Sequence, residues 1–395
     1  MLTFLVNYWP IITFYVILIL ILIWRRKHWD LESKILILYR TKWGLKLIEK
    51  IAQRYREWVK LLGYIGIGAG YVGLIGISYI LIKNLIDLLV KPQAVSGMSL
   101  VLPGVNVPGM GVLPFWYWLI AIFIIAIVHE FSHGIVARAH NLPLKSTGFV
   151  FLGPIIGAFV EPDEKKMEKS SDVAQYSVLA AGSFSNIILA LLAGLLLSLT
   201  LVPAYNYMTE PAGVSFAKYF GPEFPAAKAG IPEGTVMTGV NGQTLKEYAD
   251  FEKAMRNSKP GETISLKTTE KEYLLVLAAN PDDASSSFLG ITEIKNEREL
   301  KEQFNTLAGK ILYDTLSWFM GLFKWLFLLS MGIGLFNLLP LPIVDGGKML
   351  QLTMHKVSGK EKGERRFKKI ALFFLAVLIF SLLFPLLKKW LGALF

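Results

Sequence analysis

Ile127-Val128-His129-Glu130-Phe131-Ser132-His133-Gly134 closes an apolar run that begins at Val112. On a helix, residues four apart share a face, so His129 and His133 aim two imidazoles at one point with Glu130 beside them. That is the HExxH spacing of a metal hydrolase, in which the histidines are ligands and the glutamate is the base. Such a pattern fixes only three positions and recurs by chance on soluble helices. The apolar setting decides the reading here, because ionisable groups at membrane depth are costly and are retained for function.

Composition agrees with that setting. The 395 residues are 53% hydrophobic and 18% charged, with a mean hydropathy of +0.48. The fold class expected is a polytopic α-helical membrane protein with about six transmembrane helices, near 3–24, 61–89, 112–137, 173–203, 313–344 and 370–387. The first of these lacks a basic leader and a small-residue cleavage site, so it reads as a retained anchor. There is no cysteine, which leaves His, carboxylate or carbonyl groups to hold any metal. The net charge of +11 sits beside apolar segments, where lipid headgroups and topology account for it. The lipid bilayer is therefore the expected partner, and nucleic acid is excluded.

Eleven Lys/Arg against four Asp/Glu lie between Arg25 and Lys60, and seven against two between His355 and Lys369. The loop from Lys91 to Gly111 has a single Lys. The positive-inside rule puts the two basic segments in the cytosol and both termini outside. Ser146 to Val160, STGFVFLGPIIGAFV, is too short to span as a helix and is broken at Gly153-Pro154. Its β-branched and aromatic residues around a turn signal predict a re-entrant β-hairpin, covered by protein or facing a water-filled cavity.

Five parts follow from this reading: two N-terminal helices with a basic loop at 1–111, a first core segment at 112–204, a soluble insert at 205–305, a second core segment at 306–350, and a basic loop with a last helix at 351–395. Within the insert, Val236 to Gly242 is a strand closed by an Asn-Gly turn, Tyr248 to Ser258 is helical, and strands follow at Thr263–Thr268 and Tyr273–Ala278. With AAKAGIPEGTV ahead of VNG, the insert resembles an α+β PDZ domain of membrane proteases, a module that takes extended segments at a sheet edge. By the charge count it lies outside the cell.

A catalytic zinc needs three protein ligands and one open position, so a third partner is required. Glu161 and Glu164 are available but belong to a charged run, EPDEKKMEK. Asp345, in NLLPLPIVDGG at the end of the fifth span, is the better candidate. His133 precedes Arg138 by five residues and Asp345 precedes Lys348 by three, which puts both near the cytosolic face at one depth. Asn186, in AGSFSN of the fourth span, is either interhelical glue or a donor to a developing oxyanion.

HEFSHG, AGSFSN, a PDZ-like insert and NLLPLPIVDGG, in that order, resemble the site-2 protease family of intramembrane zinc metalloproteases. The likeness runs from about Val90 to Gly347 and includes Pro103 to Pro108, similar to archaeal and eukaryotic-type members. It implies one zinc ion held by His129, His133 and Asp345, with Glu130 as acid/base and Asn186 placing substrate or steadying the oxyanion. Two positions depart from the family pattern: Ser183, where Pro is frequent, and Val344, where Leu is frequent. Neither change removes a reactive group. The implied activity is hydrolysis of peptide bonds in or near transmembrane segments of substrate proteins, in the cell membrane of an archaeon or bacterium. The site would face the cytosol, and an upstream protease would shorten the substrate first. Two other classes compete, an inactive membrane-protein-binding module and a metal transporter, and neither accounts for Glu130 between two histidines.

Overall fold

Apolar runs in this chain become helices because a backbone in lipid must satisfy its own hydrogen bonds. The computed structural model describes residues 2–24, 30–32, 36–91, 102–107, 110–152, 155–281 and 283–392. Part of the basic loop (25–29 and 33–35), most of the loop after Lys91 (92–101 and 108–109) and the Gly153-Pro154 turn lie outside the described residues. In chain order the elements begin with α1 (Leu2–Trp24), β1 (Asp30–Glu32), β2 (Leu36–Thr41), α2 (Leu45–Arg54), α3 (Arg56–Val90), β3 (Asn106–Val107) and β4 (Gly111–Val112). Next come α4 (Phe115–Ala139), β5 (Leu144–Leu152), β6 (Ile155–Pro162), α5 (Glu164–Glu168), α6 (Asp172–Leu196), α7 (Val202–Met208), β7 (Thr209–Tyr219) and α8 (Pro225–Lys228). Then follow β8 (Val236–Val240), β9 (Gln243–Thr244), α9 (Tyr248–Asn257), β10 (Thr263–Thr268), β11 (Glu272–Val276), β12 (Ala278–Ala279), β13 (Ser287–Phe288) and β14 (Ile291–Leu300). The chain closes with α10 (Leu307–Phe336), α11 (Asp345–Ser358) and α12 (Lys360–Gly392).

Two units result: Met1–Leu197 with Gly321–Phe395, and Ser198–Met320. Among the described residues, five helices are long and apolar enough to cross a membrane: Arg56–Val90, Phe115–Ala139, Asp172–Met208, Leu307–Phe336 and Lys360–Phe384. The apolar stretch Ile11–Trp24 of α1 is shorter. The span expected at 313–344 ends at Phe336 instead. Pro340 and Pro342 lack the N–H a helix needs, so the chain turns there and restarts as α11 at Asp345.

In the first unit, α6 packs against α3, α4 and α11. Its buried residues are mostly small, including Ala180, Ala181, Gly182, Ser183, Ala190 and Ala193, which lets the other helices approach closely. The buried positions of α3 step by three or four residues through Val59, Gly63, Gly66, Gly70 and Leu74. A side chain at Gly66 would meet Phe184, and one at Gly70 would meet Met349 and Ala180, whereas Gly68 and Gly76 face open space.

The hairpin expected at 146–160 is β5–β6, running antiparallel from Leu144↔Pro162 to Leu152↔Ile155. It is part of a larger sheet in the order β1-β2-β5-β6. β2 and the amphipathic α2 occupy what the charge count treated only as a basic cytosolic loop. β2 covers the outer edge of β5, so β6 is the edge left open.

The second unit is a sheet in the order β11-β10-β8-β7-β14, with β9 paired to β8 across the predicted turn, where Asn241 and Gly242 have φ of 50° and 78°. Its core includes Val214, Phe216, Ile231, Met237, Ile264 and Leu266. Two strands, β11 and β14, lie at sheet edges.

The glycine stripe of α3 yields a contrast measurable by thermal unfolding in detergent. Gly66→Leu and Gly70→Leu should each destabilise by about 1–3 kcal/mol through overpacking. Gly68→Leu and Gly76→Leu should leave the midpoint unchanged or raise it.

Candidate active site

α4 carries the two histidines one turn apart, and their Nε2 atoms lie 3.2 Å from each other. Each ring is held through its other nitrogen. His133 Nδ1 donates to the Val178 carbonyl at 2.6 Å, and His129 Nδ1 lies 3.1 Å from the side-chain amide of Asn186. The Asn186 atom nearest His129 Nδ1 is Nδ2; an imidazole that bound metal through Nε2 would carry its proton on Nδ1, and the amide would then turn its oxygen there to accept it.

Asp345 arrives from a different element, as the first residue of α11, after an extended Val344. Its Oδ2 lies 3.4 Å from His129 Nε2 and 3.5 Å from His133 Nε2. Bonds of about 2.0–2.1 Å at tetrahedral angles hold donor atoms roughly 3.3–3.4 Å apart. Edges of 3.2, 3.4 and 3.5 Å therefore match three corners of a tetrahedral zinc site. The all-N/O donor set suits the same ion.

Three glycines make this meeting possible by close approach. A Cβ at Gly182 would lie 2.3 Å from His133 Nε2 and 2.6 Å from His129 Nε2. At Gly346 it would lie 2.2 Å from the Leu338 carbonyl oxygen, and at Gly347 1.6 Å from that of Leu341. The Pro-containing turn thus folds directly onto the start of α11, where the Gly346 N–H donates to the Asn337 carbonyl at 2.8 Å.

Glu130 borders the same cavity as the two imidazoles and reaches β6, where its Oε2 accepts the Val160 N–H at 3.1 Å. A cavity of about 560 Å³ opens here, lined by His129, Glu130, His133, Asp345, Ala158 and Asn337 among others. The Val160 N–H points off the sheet, and by strand alternation so does that of Ala158. The open edge of β6 thereby borders the cavity.

Glu161, one alternative for the third ligand, is engaged elsewhere. It accepts Ser146 Oγ at 2.7 Å and lies 3.7 Å from both Arg40 and Lys145. Glu164 borders the cavity, but the ligand atoms that cluster among the described residues belong to His129, His133 and Asp345. Asn186, expected as glue or oxyanion donor, has one end of its amide on His129. Sequence reasoning assigned no role to Gly182, Val178 or Asn337. The small AGS triplet was the visible signal for Gly182; nothing local marks a backbone carbonyl such as that of Val178.

Outside the membrane spans, Glu49 of α2 pairs with Arg138 at the end of α4, with Arg138 Nη2 donating to Oε1 at 2.7 Å. The hydrogen bonds from Arg138 hold the Glu49 carboxyl below its ordinary range. That pair ties the C-terminal end of the HExxH helix to α2.

Comparison with known proteins is consistent with this geometry. The model of peptidase family M50 matches residues 117–382. An uncharacterised protein of Methanocaldococcus jannaschii is 25% identical over 78% of this chain and 74% of its own. Zinc metalloprotease RasP of Geobacillus kaustophilus is 24% identical over 63% of this chain and 69% of its own. Among solved structures, the PDZ domain of an SdrC-like protein of Listeria monocytogenes covers 20% of this chain and 85% of that one, at 21% identity and a TM-score of 0.18. Because one family model spans well over half of the sequence, from the HExxH helix through Asp345 into α12, the chain belongs to peptidase family M50, the site-2 protease family.

Proposed function

We propose that this protein is an intramembrane zinc endopeptidase that cuts membrane-protein substrates in or near their transmembrane segments. The observation that carries the reading is the triangle of His129, His133 and Asp345 donor atoms, with edges close to those of a tetrahedral site. Zinc bound there would supply Lewis acidity for the scissile carbonyl and make water acidic enough to attack near neutral pH. Catalysis is assigned to the core segments 112–204 and 306–350.

The chain's own residues supply the remaining steps. Glu130 takes the proton of the attacking water and returns it to the leaving amine. With the ion on Nε2, Asn186 would turn its amide oxygen to His129 and hold the Nδ1 proton in place, and Asn337, on the cavity wall, is available to donate to the oxyanion. A substrate helix hides its carbonyls, so it must unwind before cleavage. The open edge of β6 can then hold the unwound strand by backbone pairing, next to Glu130. As a re-entrant element, the β5–β6 hairpin would meet the substrate within the membrane. Charge counting keeps the basic segments in the cytosol and the PDZ-like insert outside, where it would admit substrates already shortened by another protease.

Glu130→Gln should keep bound zinc while losing cleavage of a membrane-spanning substrate by on the order of 10²–10⁴-fold. Asp345→Asn should lose the metal, and Glu161→Ala and Glu164→Ala should retain it. Metal analysis of the purified variants checks all four, and chelator-resistant cleavage by the wild type would sink the zinc reading. Ala158→Pro removes one outward N–H from an edge strand, which tolerates proline. It should raise KM roughly 2- to 10-fold, the worth of one hydrogen bond, with the melting midpoint unchanged. Topology is testable cleanly because the chain has no cysteine. With a membrane-impermeant thiol reagent on intact cells, Ser286→Cys should label and Lys362→Cys should not; the opposite pattern inverts the orientation.

A further inference from the structure

All three zinc-ligand candidates make a second hydrogen bond, and every one of those bonds ends on α6. His133 reaches the Val178 carbonyl, His129 reaches the Asn186 amide, and Asp345 Oδ2 accepts from Ser183 Oγ at 2.9 Å. α6 contributes none of the clustered ligand atoms themselves.

Ser183 is the unexpected member of this set. Its side chain is wholly buried, directly after Gly182, and it stands where the family pattern often has a residue without a hydroxyl. A buried hydroxyl on a helix can satisfy itself on the carbonyl four residues back. Ser132 does so on Val128 and Thr353 on Met349. Ser183 instead donates across to α11, to the very oxygen that lies nearest both imidazoles.

We propose that Ser183 is a positioning residue for the metal, fixing Asp345 Oδ2 toward the two imidazoles and thereby setting zinc affinity. The inference rests on the reading that His129, His133 and Asp345 hold the ion. Its physical basis is the soft terminal torsion of aspartate, which is broad and nearly two-fold. Without an anchor, the carboxylate would spend part of its time with neither oxygen aimed at the site. Partners of this kind are typically worth about 10- to 100-fold in metal affinity.

The test is zinc affinity of the full-length chain in detergent, by competition with a chromophoric chelator, together with the visible spectrum of the cobalt-substituted protein. Ser183→Ala should weaken zinc about 10- to 100-fold and perturb the cobalt bands. Ser177→Ala is the matched control. Ser177 is a fully buried hydroxyl on the same helix, with no hydrogen-bond partner among the described residues, so its loss should leave both readouts at wild type. Wild-type affinity in Ser183→Ala, with zinc lost from Asp345→Asn, would overturn the role of Ser183 and leave the proposed function intact. Equal weakening in Ser183→Ala and Ser177→Ala would also overturn it. Retention of zinc by Asp345→Asn would remove the ligand reading, and the inference with it.

Discussion

A carboxylate shut away from water is the constraint around which the first unit is arranged. Removing one such charge from solvent costs several kcal/mol unless opposite charge and hydrogen bonds replace the water. Asp345 is 8% exposed and finds two imidazoles and one hydroxyl within reach. Each of these is supplied by a different local device. The HExxH register brings the imidazoles, a helix of small residues brings the hydroxyl, and a proline-broken turn delivers the carboxylate. A divalent cation at their centre would neutralise the carboxylate directly, which makes metal binding and the packing of α4, α6 and α11 parts of one balance.

The sequence was legible where chemistry is dense and local. HExxH, the PLPIVDGG turn and the Asn-Gly hairpin each announce themselves within a dozen residues, because the geometry they need restricts which residues can stand there. β2 and α2 were hidden for the opposite reason. LILYRT pairs with a strand that follows it by about a hundred residues, and its alternation is masked by flanking Lys and Arg. The end of the fifth helix was overrun by eight residues because leucine and isoleucine continue past Phe336, and only the prolines mark the stop.

Membrane setting also changes which pattern carries information. In water, the buried face of a helix is its apolar face. α3 is apolar all round, so that signal vanishes, and the buried side is marked instead by the spacing of Gly63, Gly66 and Gly70. The same logic governs α6. Its glycines, alanines and serines look featureless by hydropathy, yet they bring the backbone near enough for Gly182 to border the three clustered side chains.

The sheet order also bears on selectivity. On the proposed function, an unwound substrate strand would join the β5–β6 hairpin along β6, because β2 already pairs with β5, and would do so through main-chain groups common to every peptide. Side-chain identity then matters less than the free energy of unravelling a helix to expose those groups. Glycine lowers that cost by about 1 kcal/mol relative to alanine on aqueous scales, so two glycines near the cut would enrich the unravelled form roughly thirtyfold. A protein built this way would sort its targets by how brittle their helices are.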